Sequence, residues 1–483
     1  FLGVTPQRVP GYPLFLSTIF SVAGKGLWNV VFIQILLDSI SCVVIALLAK
    51  SIFGRGFWIA GVLSAINLNM VVLSATLLTD TLFLFLFVLF LFSLFQYLKT
   101  KSIKWFFFLV LFITLATLVR AVSYYLLPIL LIAILSWRFW QKDSGLKIIK
   151  LTVLYLSVVG ILLGGIHQRN YQQYGSTAFV SQTGAAVLGW IVPAVYQYSG
   201  QGSYQQGQKL ARSKLNLALQ RDHLEGLSSN PFVSSNYQTN IGKEILFELG
   251  FVKVLKAWTI GSVINILSPS VAYSPALRSM KHPSFYEAGG NGVFEKLLNY
   301  IKNSDEFSYL LILSVGTIIS IIFTIMALLG AFKMTSMFPF ITVATLLVLV
   351  GYFLAITGPI IGVKYRLPIE PILILFATHF LNEYFSNKSK SLKSSGSVKK
   401  MKIIHIITDL DTGGAEIMLY KLLASLQDEM LDSTVISLMG RGKVTERIEV
   451  LGVKVEALDL GRGDLPSWQT IKKLRQFMRA FNP

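Results

Sequence analysis

Val363-Lys364-Tyr365-Arg366-Leu367-Pro368-Ile369-Glu370-Pro371 stands at the mouth of a long apolar run, Ile372 to Phe385. Two cations, a phenol and a carboxylate therefore meet the edge of a segment built to enter a bilayer. Charges at that depth are costly unless they hold a ligand or fix the depth of a helix. Lipid phosphate is the ligand such cations suggest first, and a plain basic anchor is the rival reading. The two differ in what the rest of the chain must bring to the same level.

The bulk composition limits the answer. Of 483 residues, 53% are hydrophobic and only 14% charged, against roughly 25% charged in soluble domains. A polytopic membrane protein, or a hybrid of membrane and soluble parts, fits these values. The formal charge is +19, and all of it belongs to residues 1–400, because the 11 bases after Met401 are matched by 11 acids. A basic excess of that kind fits cytoplasmic loops and lipid headgroups rather than nucleic acid, since the aromatic residues lie inside apolar runs. The single cysteine, Cys42, can form neither an intrachain disulfide nor a thiolate metal site. Phe1 and Asn482-Pro483 read as cut ends, with sequence expected on both sides.

A membrane span needs about 20 apolar residues. Nine stretches qualify: Trp28–Leu48, Phe57–Thr76, Thr81–Leu98, Trp105–Leu118, Tyr124–Trp137, Leu151–Ile166, Tyr309–Ala331, Phe338–Ile356 and Ile369–Phe385. Lys50 and Arg55; Lys99, Lys101 and Lys104; Arg138, Lys142, Lys147 and Lys150; Lys333; and Lys388 to Lys400 fall in every second loop. The positive-inside rule puts those loops in the cytoplasm, with residues 1–27 outside and the tail inside. The opposite face then receives Asp80, Arg120, Lys364, Arg366 and one large segment, residues 167–306, rich in Gln, Tyr, Ser, Asn and Gly. Within it, Lys243 to Leu267 reads as one amphipathic helix, either lying on the membrane or packed on its own small domain.

Residues 386–400 (SNKSKSLKSSGSVKK) read as a flexible basic linker. Beyond it the style of the chain changes. Lys402 to Ile407 has a buried-strand pattern, Gly413-Gly414-Ala415-Glu416 follows, and Ile417 to Leu426 has helical period. Ser433–Met439 and Val453–Leu458 read as further strands and Ser467–Ala480 as a basic amphipathic helix. Strands alternating with helices imply a parallel sheet.

The outer face gathers Arg8, Asp80, Arg120, His167, Lys364, Tyr365, Arg366 and Glu370 near span ends that the topology puts on one side. Arginine forks bind phosphate oxygens in pairs and stay charged. A carboxylate beside them could accept a proton from a hydroxyl, and the same cations would stabilise a leaving phosphate. Each residue also has a plainer reading: Asp80 as a helix N-cap, Arg120 as a snorkelling side chain, Lys364 and Arg366 as anchors, and Asp38 as a hydrogen-bonded interior residue. No cofactor is called for. The His, Asp and Glu spacing fits no tight structural metal site, although it leaves room for a divalent ion on Asp80.

Gln7-Arg8-Val9-Pro10-Gly11-Tyr12-Pro13-Leu14-Phe15-Leu16, Thr76-Leu77-Leu78-Thr79-Asp80-Thr81-Leu82-Phe83, Ala116-Thr117-Leu118-Val119-Arg120 and Lys364-Tyr365-Arg366-Leu367-Pro368 occur in that order. Together they resemble the polytopic GT-C glycosyltransferases that use dolichyl- or undecaprenyl-phosphate sugars, among them protein O-mannosyltransferases and the lipid A aminoarabinose transferase. The resemblance covers residues 1–385. It implies a multi-pass enzyme of the bacterial inner membrane, with a polyprenyl-phosphate sugar as donor, a lipid, glycan or protein as acceptor, and no nucleic acid. It implies Asp80 as an acidic site residue, Arg8, Arg120, Lys364 and Arg366 on phosphate, and Tyr12 and Tyr365 around the sugar. It also implies a first span and a main catalytic carboxylate upstream of Phe1, without which the stretch in hand is expected to be inactive.

Met401 to Thr408 followed by Gly413-Gly414-Ala415-Glu416 resembles the start of the N-terminal, Rossmann-like domain of family-four GT-B glycosyltransferases, over residues 401–483. That resemblance implies a role for Gly413, Gly414 and Glu416 near a donor phosphate or acceptor, and a tail that transfers nothing alone. A plain tight turn is the simpler reading of the glycine pair. Met401 after Lys399-Lys400 reads like a start codon, so a joined pair of neighbouring genes stands beside a natural fusion. A transporter of polysaccharide or lipid carrier is the non-enzymatic alternative; it would call for internal repeats, and none is found.

Overall fold

The structure, a computed structural model, describes residues 6–280, 285, 288–290, 293–304, 306–394, 401–425, 431–464 and 466–481. It divides into two compact units, Phe1–Glu383 and Tyr384–Pro483.

The first unit is helical. It opens with α1 (Gly11–Ala23), α2 (Leu27–Phe53), α3 (Phe57–Ala65), α4 (Leu68–Ser74), α5 (Asp80–Thr100), α6 (Ile103–Val119), α7 (Leu126–Trp140) and α8 (Gly145–Tyr174). Shorter or more polar helices follow: α9 (Thr183–Ala186), α10 (Val192–Tyr198), α11 (Tyr204–Arg221), α12 (Pro231–Leu249), α13 (Phe251–Leu267), α14 (Pro275–Arg278) and α15 (Val293–Lys302). Then α16 (Phe307–Met337), α17 (Phe340–Thr357) and α18 (Glu370–Ser394) complete the bundle.

Among the described residues, six helical segments are long and apolar enough to cross a membrane, or up to eight if each of two bent pairs counts as one span. This makes the chain a multi-pass membrane protein, with fewer spans by this measure than the nine expected. The differences have local causes. The run Phe57–Thr76 is broken into α3 and α4 with a 50° bend, because Asn67 interrupts it and caps α4 by accepting from the amides of Asn69 and Met70. Helix α6 has 17 residues, the lower limit of a span. Helix α18 becomes too polar from its middle onward, at His379, Asn382 and Glu383. The single helix expected over Lys243 to Leu267 is likewise two, α12 and α13, turned by 104° at Gly250, whose φ of +91° suits glycine.

Burial sets the order of the bundle. Along its most apolar stretch, 61% of α5 is buried inside the protein, against 22–33% for the other long helices. Phe83, Phe87 and Phe90 of α5 and Ile372, Ile374 and Leu375 of α18 are all fully buried. The outer helices leave large apolar side chains uncovered, such as Phe32, Ile40 and Val43 of α2, Val153, Leu156 and Ile161 of α8, and Ile318, Ile322 and Leu328 of α16. A contiguous apolar belt of that kind is what lipid covers. Small residues set the close crossings, as expected where lipid and helix surfaces are equally apolar: a Cβ on Gly330 of α16 would collide with the Phe376 carbonyl of α18.

The stretch expected to be a flexible linker begins as helix, since α18 runs through Ser394; no glycine or proline interrupts the Lys/Ser run before Gly396. The remainder of that linker lies outside the described residues. The second unit holds a three-stranded parallel sheet in the order β1 (Met401–Ile407), β2 (Leu431–Ser437), β3 (Lys454–Ala457). Helices α19 (Gly414–Ser425) and α20 (Thr445–Val450) connect the strands, and α21 (Trp468–Phe481) follows. Its core is Leu410, Leu423, Val435, Val444, Ile448 and Val455. Helix α20 was not expected; at six residues it is too short to leave a periodic pattern.

Candidate active site at the mouth of the bundle

The site starts where two helix ends cross. Gly11, at the start of α1, lies on the last turn of α6, and a Cβ there would come within 2.5 Å of the Leu118 carbonyl oxygen. That contact brings the Pro-Gly-Tyr-Pro stretch beside Arg120. Tyr12 is held from the other side: its hydroxyl donates to Gln34 Oε1 at 2.8 Å, and Gln34 Nε2 donates to the carbonyls of Ser74 at 3.0 Å and Thr76 at 2.7 Å. The chain is thereby folded back just before Asp80.

Asp80 is the first residue of α5, and the cap position belongs to Thr79, whose side chain makes no capping bond. The cap reading of Asp80 therefore gives way: its carboxylate, almost fully buried, is ion-paired to Arg120 Nη1. Arg120 ends α6 by turning to extended backbone, and its guanidinium lies 5.6 Å from the centre of the Phe83 ring. It does not snorkel away from the bundle.

The Lys364–Tyr365 turn is braced by α13. Trp258 Nε1 donates to the Ala355 carbonyl at 3.0 Å and its ring covers Gly358, which has φ +59°. The buried Asn265 donates to the Ile360 carbonyl at 2.9 Å and accepts from the Gly362 amide at 2.9 Å. So held, half-buried Lys364 lies in electrostatic range of Asp80, Arg120, Arg8 and Arg278. Burial lowers its pKa below that of a free lysine; Asp80 opposes the shift, and the three arginines add to it. Its ammonium stands 5.3 Å from the Tyr365 ring centre. Burial raises the pKa of Tyr365, with Arg120 opposing and Tyr273 and Asp80 reinforcing. Tyr273 is also raised by burial, with Arg278 opposing and Asp80 reinforcing. Tyr12 too lies in range of the Asp80 charge.

The structure thus brings Arg8, Tyr12, Asp80, Arg120, Lys364 and Tyr365 into one group. It adds two residues the sequence did not suggest, Tyr273 and Arg278, whose guanidinium lies 4.5 Å from the Tyr273 ring centre. They come from the polar 167–306 segment, where Tyr273 to Arg278 (YSPALR) carries the signal: an aromatic and a cation flanking a Ser-Pro helix start, with Ser274 capping α14.

Arg366 is not in this group. Lys364 and Arg366 are two residues apart on tight turns, and at three residues per turn they face different ways. The Arg366 side chain, 2% exposed, pairs through Nε with Glu370 Oε1 at 2.5 Å, and the Glu370 side chain is fully buried. Nη1 donates to the Ile266 carbonyl and to Ser320 Oγ. Glu370 is completed by Asn69 and by Asn67, the latter donating at 3.0 Å. Arg366 is a bolt joining α13, α16 and α18. His167 is likewise occupied, with Nδ1 at 2.7 Å from the Thr177 carbonyl and its ring against Phe179.

In the second unit Gly413 and Gly414 form the turn from β1 into α19. Glu416 folds back over Gly413, since a Cβ on Gly413 would meet its carboxylate. A carboxylate at the third position of a helix is favourable there on its own account. Among the described residues no three His, Cys, Asp or Glu side chains assemble as a metal site.

Comparison with known proteins gives one family match. Residues 6–162 match the family described as dolichyl-phosphate-mannose-protein mannosyltransferase, and that stretch contains Arg8, Tyr12, Asp80 and Arg120. No curated protein sequence matches the chain. Among solved structures, the archaeal oligosaccharyltransferase AglB from Archaeoglobus fulgidus, in complex with an inhibitory peptide and a dolichol-phosphate, is similar at 14% identity and a TM-score of 0.39. The alignment covers 87% of this chain and 46% of that one, so this chain spans less than half the length of that protein. ArnT from Cupriavidus metallidurans, bound to undecaprenyl phosphate, is similar at 12% identity and a TM-score of 0.32, over 94% of this chain and 80% of that one.

Chemically, the group sets the cations Arg8, Arg120, Lys364 and Arg278 against the single carboxylate Asp80, among the described residues. Such an excess in a partly buried setting calls for an anion. Arginine supplies planar forks for phosphate oxygens, and lysine supplies a point charge.

Proposed function

We propose that residues 1–385 form a glycosyltransferase of the GT-C type. It would take a sugar from a polyprenyl-phosphate donor and pass it to a lipid, glycan or protein acceptor on the non-cytoplasmic face of a bacterial inner membrane. The observation that carries this reading is the gathering of Arg8, Arg120, Arg278 and Asp80 around Lys364, with Arg120 paired to Asp80, from the helix ends and loops of α1, α5, α6, α14 and α17. The family match over residues 6–162 supports the donor class, and the basic loops in every second position support the sidedness.

In the reaction the bond from the sugar's anomeric carbon to the phosphate oxygen breaks, and the bonding pair leaves with the lipid phosphate. A new bond forms to the acceptor oxygen, whose proton passes to a carboxylate; Asp80 is the candidate for it in this chain. Lys364, Arg120, Arg8 and Arg278 stabilise the charge that grows on the leaving phosphate. Tyr12, Tyr273 and Tyr365 offer ring faces and hydroxyls to the sugar. The donor carries its own leaving group, so no nucleotide takes part. Arg366, spoken for by Glu370, braces the Lys364 turn. The 401–483 unit would face the cytoplasm as the first part of a GT-B domain, with Gly413 and Gly414 at its ligand edge.

The test is binding of undecaprenyl phosphate to the purified full chain, with undecaprenol as the phosphate-free control. Lys364→Ala and Arg278→Ala should each weaken the phosphate lipid at least tenfold and leave undecaprenol unchanged. Equal affinity of wild type and both variants would overturn the assignment.

A further inference from the structure

A cavity whose lining includes neither Lys364 nor Asp80 lies in the membrane part of the first unit. It measures about 210 Å³ and sits between the α3–α4 break, the start of the Ser270 turn and the middle of α16, with Arg366 in its wall. Leu63, Ile66, Ile319, Ile322, Phe323 and Met326 are the large apolar side chains of its lining, with Leu68. Ile66, Ile319 and Ile322 are also strongly exposed, so the opening is on the apolar belt and faces the bilayer sideways.

Its polar end is built. Ser270 is 2% exposed, lines the cavity, and its buried hydroxyl has no hydrogen-bond partner. Arg366 lines it too, and Nη2 takes no part in the bonds that Nε makes to Glu370 and Nη1 makes to Ile266 and Ser320. An orphaned buried hydroxyl calls for an acceptor or a water. Water alone is a poor filling: each water needs two to four polar partners, the wall is mostly apolar, and Asn67, Asn69 and Ser320 in it are already bonded to Glu370 and Arg366. A chain with an oxygen near one end fits. The oxygen need not be anionic, because the charge of Arg366 is already met by Glu370. A polyprenyl phosphate carries its oxygens on a charged phosphate, whereas an acyl chain carries a neutral ester carbonyl at its head.

We infer that this cavity is a lipid site separate from the proposed transfer centre, taking one ester-linked acyl chain of a membrane glycerolipid, with the ester carbonyl accepting from Ser270 and Arg366. Occupation ties α3–α4, α16 and the Ser270 turn together. The inference uses no residue of the Asp80 group.

The experiment is native mass spectrometry of the purified full chain, titrated with ester-linked phosphatidylglycerol, with its ether-linked analogue, and with undecaprenyl phosphate. One ester lipid should bind at least tenfold more tightly than the ether analogue. Ser270→Ala should abolish that preference, and Ile319→Trp, which fills the mouth from a half-exposed position, should remove the bound lipid while the protein stays monodisperse. Lys364→Ala should leave it in place, which separates this site from the phosphate site. Equal retention of ester and ether lipids, a lipid held by Ile319→Trp, or one-for-one displacement by undecaprenyl phosphate would each overturn the inference, the last by giving the cavity to the donor's tail.

Discussion

Glu370→Ala is the sharpest probe of how the Lys364 turn is held. In the wild type the Glu370 side chain is 0% exposed and the Arg366 side chain 2%, so neither charge has water to fall back on. Removing the carboxylate strands the guanidinium and also orphans the side-chain amides that Asn67 and Asn69 direct at Glu370. Breaking a buried pair by deleting one partner costs about 3–5 kcal/mol. Each orphaned amide adds about 1–3 kcal/mol in isolation, although neighbours in one network do not add in full. At about 1.4 kcal/mol per factor of ten, the expected loss is two to three and a half powers of ten in the folded-to-unfolded ratio. Polytopic proteins unfold irreversibly in detergent, so the measurable quantity is the half-life of the monodisperse species at fixed temperature. The decisive arm is Arg366→Met/Glu370→Leu, which removes both charges and keeps most of the volume. It should recover much of the lost half-life, because an apolar pair of similar size often equals or exceeds a buried ion pair. If Glu370→Ala lives as long as the wild type, or if the double variant is no better than the single, Arg366 is not a bolt.

Further outcomes follow from the same fold. Lys364 must be protonated to hold phosphate, and burial has lowered its pKa. Undecaprenyl-phosphate binding should therefore fail on an alkaline limb below the 10.5 of an ordinary lysine, and Lys364→Arg should move that limb upward. For stability the sign is opposite: holding a charged Lys364 is a cost present at low pH and relieved as pH rises through its lowered pKa towards 10.5, because the unfolded chain then binds more protons. Arg278→Ala, at an exposed side chain, should weaken phosphate binding by about 1.5–3 kcal/mol with no change in thermal half-life. Asn265→Ala should release the Ile360–Gly362 loop and cost about 1–3 kcal/mol of stability, together with phosphate affinity; an unchanged affinity would mean the loop needs no brace. Reporter fusions at residues 230 and 440 should lie on opposite sides of the membrane, and the same side for both would refute the topology.

The legible part of this protein was its periodicity, and the illegible part was direction. Apolar runs announce helices, so every expected span contains one, and the change of pattern at Met401 announced a parallel sheet. What a run of letters does not give is how an apolar stretch breaks: Asn67 splits one span because its side chain finds the amides of Asn69 and Met70, a local event that averaging over a window erases. The site divides in the same way. Arg8, Asp80, Arg120 and Lys364 were readable as charges at span ends, since a bilayer edge tolerates few others. Arg366 belonged to the same list by the same criterion, yet its partner was in plain view: Glu370 stands four residues on, the spacing at which a helix pairs opposite charges, and an arginine that can reach such a partner inside a bundle has no unmet charge left for an anion. Arg278 shows the reverse error. It lies in a polar segment, where one cation among many carries no signal, and only the fold sets it beside Tyr273 and within range of Lys364. Charge counting therefore finds residues that must have a reason to be buried. Whether that reason is a ligand or a neighbour depends on whether the pattern already supplies the counter-charge, and here it does so for Arg366 and not for Lys364.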